Sequence, residues 1–109
     1  TGRRHWAISA AGYPMIMFSI SCEAAYKLSN MLDEMRVSRD MCVRLNVDGQ
    51  YALLTVDEPT DRDQVFMLGD RNVLVVDVAT CDECAGVRLD CDREGDLAFY
   101  YTGNRYEWN

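Results

Sequence analysis

Positive charge is scarce in this chain. Its 109 residues carry 11 Lys and Arg against 18 Asp and Glu, a net charge of −7. Phosphate and anionic lipid binding both need clustered basic residues, so neither a nucleic acid nor a membrane surface is expected as a partner. Long apolar runs are also missing, and nothing approaches the roughly 20 residues a spanning helix needs. Arg3-Arg4 ahead of Trp6-Ala7-Ile8 faintly imitates a signal peptide, but Ser9, Gly12 and Pro14 interrupt the apolar part. There is one histidine, His5, close to the start. A Ser-His-Asp or Cys-His catalytic arrangement is therefore not expected. No glycine-rich phosphate loop occurs. The five cysteines, Cys22, Cys42, Cys81, Cys84 and Cys91, are odd in number and unevenly spread, unlike a secreted disulfide framework. A cytoplasmic protein that is not an enzyme is the expectation.

What is present fits one domain. Hydrophobic residues make up 49% of the chain, enough for a core. Ser21 to Met35 predicts a helix. Ser21 is placed to cap it, with Glu23 in the first turn, and Ala24, Ala25, Leu28, Met31, Leu32 and Met35 form one apolar stripe. Met41 to Val47 alternates, with Met41, Val43, Leu45 and Val47 on one side and Cys42, Arg44 and Asn46 on the other. Asp48-Gly49 follows, then a second alternating stretch from Gln50 to Val56. Asp-Gly between strands predicts a tight hairpin with Val47 facing Gln50. Asp57 to Asp63 reads as an acidic loop. Gln64 to Leu68 pairs with Asn72 to Val76 around Gly69-Asp70, and Val87 to Cys91 pairs with Leu97 to Tyr101. One helix packed on strands that pair mainly as antiparallel hairpins gives an α+β, mostly-β fold.

The most specific stretch is Arg71 to Cys91. An apolar strand ends at Asp77, a short run reaches Ala85-Gly86, and Val87-Arg88-Leu89-Asp90 opens a second strand. This resembles the signature of the HesB-like domain, the fold of the A-type iron–sulfur carriers. Met17 to Ala25 resembles that family's opening into its first helix, Cys42-Val43-Arg44-Leu45 its arginine-bearing strand, and Asp63-Gln64-Val65-Phe66 another of its strands. The resemblance spans residues 17 to 101. It leaves residues 1–16 as an N-terminal or vector-derived extension and residues 102–109 as a polar, aromatic tail.

The resemblance implies a cluster held by a cysteine in a loop after the arginine-bearing strand and by a Cys-Gly-Cys tail. Here that loop corresponds to Val47-Asp48-Gly49-Gln50-Tyr51, and the chain ends Thr102 to Asn109 without cysteine. Clusters of this kind are held by thiolates. The expectation is thus a HesB-like domain of the iron–sulfur biosynthesis family that has lost its cluster ligands, holds no cofactor and works as a binding or accessory module with a protein partner. The alternative is a metal-binding or thiol-redox protein using Cys81 and Cys84, a C-x-x-C pair, with Cys91, and holding a metal ion or iron–sulfur cluster. The acidic residues inside that motif disfavour a reactive thiolate. By the resemblance, Cys84 and Cys91 take the places of core Leu and Tyr, so Cys81 is expected to be the readily alkylated member of the three. Asp90 to Leu97 imitates half a calcium loop, but the twelfth position is Tyr101 and the flanks read as strands, which favours a hairpin turn. Tyr100, Tyr101, Tyr106 and Trp108 make the C-terminal end aromatic, as core and docked tail or as a partner surface.

Overall fold

Val73, Leu74, Val75 and Val76 are all fully buried, so the strand that carries them is covered on both faces. That strand, β5 (Arg71–Asp77), lies inside a four-stranded sheet of order β3-β2-β5-β4, with β2 at Cys42–Asp48, β3 at Tyr51–Asp57 and β4 at Asp63–Leu68. A three-stranded sheet joins β1 (Ser19–Ile20), β6 (Val87–Cys91) and β7 (Leu97–Tyr101) in the order β1-β6-β7. Among the described residues of this computed structural model there are two helices, α1 (Cys22–Met35) and α2 (Val78–Glu83). The structure describes residues 17–49 and 51–101. The expectations placed on residues 1–16, His5 among them, and on the tail 102–109 lie outside the described residues.

α1 forms as its sequence predicts. The Ser21 hydroxyl accepts from the Ala24 amide at 3.0 Å, satisfying one of the free N–H groups of the first turn. The same hydroxyl donates to Asp90 Oδ1 at 2.6 Å, and the Ser21 amide donates to the Leu89 carbonyl at 2.9 Å. The helix start is thereby tied to β6. Ala24, Ala25, Leu28 and Leu32 are buried, and the helix packs on β5, β6 and β4. Met31 is half-buried. Met35 departs from the expected stripe. It is 47% exposed, because Arg36 turns left-handed (φ 55°) and ends the helix there.

The three expected hairpins form. β2–β3, β4–β5 and β6–β7 are antiparallel. The first of them is centred one residue later than the sequence predicts. Val47 faces Ala52 and Asp48 faces Tyr51, so Val47 does not face Gln50. Asp48 avoids the positive φ that the expected turn demands of it, and Gly49 takes φ +62° as the first turn residue. Two parallel pairings, β1 with β6 and β2 with β5, then join the hairpins into sheets. The imitation calcium loop is a hairpin turn. Asp92 Oδ1 accepts from the Glu94 and Asp96 amides, both at 2.9 Å, and Gly95 takes φ +86°. No helix among the described residues is long and apolar enough to cross a membrane.

Candidate functional site

The C-x-x-C pair lies on α2 and its end. Asp77 starts this helix, its Oδ1 accepting from the Ala79 amide at 2.9 Å, and the Val78 amide donates to the Arg62 carbonyl at 2.8 Å. Cys81 is 8% exposed, with Sγ 3.9 Å from the Val76 carbonyl oxygen. Burial, followed by neighbouring Cys84, Asp82 and Asp77, pushes its thiol up to about 11. Cys84 closes the helix and is half-buried, its thiol raised by burial and by Glu83. Cys91 is also half-buried, at the end of β6. Burial raises its thiol, as does Glu23 on α1, against the opposing charge of Lys27. Among the described residues no three His, Cys, Asp or Glu side chains converge as metal ligands.

This placement corrects the expected order of reactivity. Cys81, not Cys84 or Cys91, is the sheltered thiol, because α2 turns it back onto β5 while Cys84 ends the helix. Alkylation at neutral pH is expected to be slowest at Cys81, on the order of tenfold or more behind Cys84, and to equalise on unfolding. Peptide-resolved labelling rates measure it. Comparable native rates at Cys81 and Cys84 would contradict the buried position.

Cys42 departs from its expected setting as well. It alternates with Arg44 and Asn46 but is fully buried, and its Sγ reaches the Asp57 carbonyl oxygen at 3.6 Å. Beside it, Arg44 organises the loop after β3. Its Nη1 and Nη2 grip both oxygens of Asp63, at 2.8 and 2.7 Å, and its Nε bonds Asp57 Oδ2 at 2.8 Å. Asp63 Oδ2 further accepts from the Thr60 amide at 2.7 Å. The cluster is internally satisfied, which marks it as scaffold.

A shallow recess lies elsewhere among the described residues, where the β2–β3 hairpin approaches the second sheet. Leu45, Val47 and Ala52 form one side of an open cleft of about 150 Å³. Cys84, Val87 and Phe99 form the other, and Gly49 and Tyr51 complete the lining. Cys84 supplies the one thiol in an otherwise apolar lining. Tyr51 is 80% exposed and Phe99 42%. This corner joins the turn after β2 to β7. The sequence motifs reveal only Cys84 of it, since the other lining residues come from four strands and a turn and carry no chemical signature.

No protein-family model and no curated protein sequence matches the chain. A solved structure does. The crystal structure of Escherichia coli SufA, involved in biosynthesis of iron–sulfur clusters, superimposes with a TM-score of 0.57 over 85% of this chain and 91% of that one, at 20% identity. SufA is an A-type carrier of the HesB-like fold. This chain has the HesB-like fold. The expected α+β architecture, mostly strand, stands with it. Within the HesB-like fold the two places where the resemblance expects carrier cysteines are the turn after β2 and the segment after β7. Of the first of these, Val47, Gly49 and Tyr51 line the cleft.

Proposed function

We propose that this chain is a non-enzymatic accessory module of iron–sulfur cluster biosynthesis, which binds a protein partner and holds no cluster of its own. The HesB-like fold supports the biosynthetic part of the reading. The observation that carries the rest is the apolar cleft, where Cys84 is the one thiol in the lining. A cluster needs several thiolates converging on it. Cys81 is buried with a thiol that resists ionisation, and Cys91 lies towards Glu23 and Lys27 of α1. The residues present at this corner do not fit a carrier-type cluster.

Anaerobic reconstitution with iron and sulfide tests the missing cluster. The protein is expected to stay colourless and to retain no stoichiometric sulfide. A stable visible absorbance band, lost in Cys81→Ser or Cys84→Ser, would overturn the reading in favour of metal or redox chemistry at the C-x-x-C pair. Affinity capture from the native host with mass spectrometry tests the biosynthetic link. Enrichment of iron–sulfur assembly proteins is the expected result, and their absence from a reproducible set of partners would sink it.

A further inference from the structure

β3 forms one edge of the four-stranded sheet, and among the described residues no strand lies beyond it. An edge strand is a template for another strand unless it is short, bulged or charged. β4, at the opposite edge of this sheet, is broken by a register shift between Phe66 and Met67, and β1 is two residues long. β3 has neither guard. Its seven residues, Tyr51-Ala52-Leu53-Leu54-Thr55-Val56-Asp57, pair with β2 without a shift. Asp57 is its one charged residue, at the strand end and held by Arg44. Tyr51 is 80% exposed and Leu53 62%.

The hairpin fixes which main-chain groups point outward. Asp48 faces Tyr51 across a two-residue turn, so this flanking pair exchanges main-chain hydrogen bonds, and so does every second pair after it. Tyr51, Leu53, Thr55 and Asp57 therefore turn their amides and carbonyls towards β2. The Leu53 and Asp57 carbonyls agree with that phase, since they also accept from Asn46 Nδ2 and Cys42 Sγ of β2. Ala52, Leu54 and Val56 turn theirs to the outside.

A two-fold axis at Leu54 matches this edge to itself. Leu54 then meets Leu54 of the second copy, Ala52 meets Val56, Leu53 meets Thr55 and Tyr51 meets Asp57. Each outward residue exchanges hydrogen bonds with an outward residue of the second copy. A slip of one residue would set outward groups against inward ones. No acid faces an acid, although the chain carries a net charge of −7. The two Leu53 side chains lie diagonally across the axis, where each covers part of the other.

We propose that β3 pairs antiparallel with β3 of a second copy of this chain, joining two four-stranded sheets into one across a two-fold axis. A strand of seven residues is small beside the roughly 20–30 residues a side of a standard interface, so dissociation on the order of 10–100 micromolar is expected. At the low micromolar concentrations of an unfolding titration the chain is then a monomer and Leu53 stays exposed. The proposal does not depend on the biosynthetic role.

Sedimentation velocity on the full chain, from a few micromolar to several hundred, tests it. The mass is expected to rise from the 12.4 kDa monomer to twice that value and to stop there, because the pairing uses up the edge. Ala52→Pro removes an outward amide that makes no bond within the sheet, and Leu53→Lys sets like charges across the axis. Each is expected to raise the midpoint at least tenfold while the circular dichroism spectrum stays unchanged. A monomer at every concentration would overturn the proposal, as would growth beyond the dimer. Dimerisation of undiminished affinity in either folded variant would overturn it as well, since the contact would then lie elsewhere. Should Ala52→Pro fail to fold, Leu53→Lys decides alone.

Discussion

Leu89→Ala is expected to lower the unfolding free energy by about 3–4 kcal/mol, a loss of several hundredfold in the folding equilibrium. Leu89 is fully buried in the middle strand of the smaller sheet. It faces Ile20 of β1 on one side and Phe99 of β7 on the other. Its carbonyl also receives the amide of Ser21, the residue that starts α1. Removing its side chain leaves a void where a helix start and three strands meet, with backbone hydrogen bonds that hinder collapse. The cavity also undercuts Phe99, which lines the cleft. Leu53→Ala is the control. Leu53 is 62% exposed on β3 and should change stability by no more than about 0.5 kcal/mol. Urea unfolding with an unchanged m-value measures both. A cost below about 1.5 kcal/mol at Leu89 would show that this side chain does not hold the start of α1 and the three strands together.

The elements with strong local signals were legible. α1 had a capping serine and a stripe of helical period, and the three hairpins had turn residues between alternating runs. The misses have physical causes. Asp48-Gly49 is a strong turn signal, yet in the folded register Gly49 alone of that pair takes a positive φ, and the hairpin moves one residue along. Arg36 ends α1 without a glycine, which leaves Met35 in solvent. The parallel pairings of β2 with β5 and β1 with β6 join segments far apart in sequence, and nothing local announces them. Cys81 and Cys84 look alike in a C-x-x-C motif, but three residues of helix turn one onto the buried strand and leave the other at the cleft. Apart from Cys84 the cleft is assembled from ordinary apolar residues, and it becomes visible only when the hairpin and the second sheet meet. Arg44 and Asp63 both belong to stretches that resemble the HesB-like pattern, but their contact arises from the folded sheet and not from spacing.

That contact sets the second large effect. Asp63 has a side chain 1% exposed and accepts from Arg44 twice and from Thr60. The Arg44 hydrogen bonds, foremost, hold its carboxyl near 2, against 3.8 for an ordinary aspartate. A depressed folded-state pKa adds stability that is fully present above the unfolded value near 4. It is lost as pH falls through 2. The shift corresponds to about 2 kcal/mol. Asp63→Asn removes the charge while keeping the shape, and is expected to cost about 2–3 kcal/mol at pH 7. Arg44 keeps Asp57 and the Glu58 carbonyl as partners, which limits the penalty. The distinguishing readout is the pH profile. The stability gap between the native chain and Asp63→Asn should stay wide from pH 7 to about pH 5, then narrow between pH 4 and 2 as the native carboxylate protonates. A gap that is constant down to pH 2 would mean that Asp63 contributes by shape and neutral hydrogen bonding, and that its charge on Arg44 does not hold the loop to the sheet.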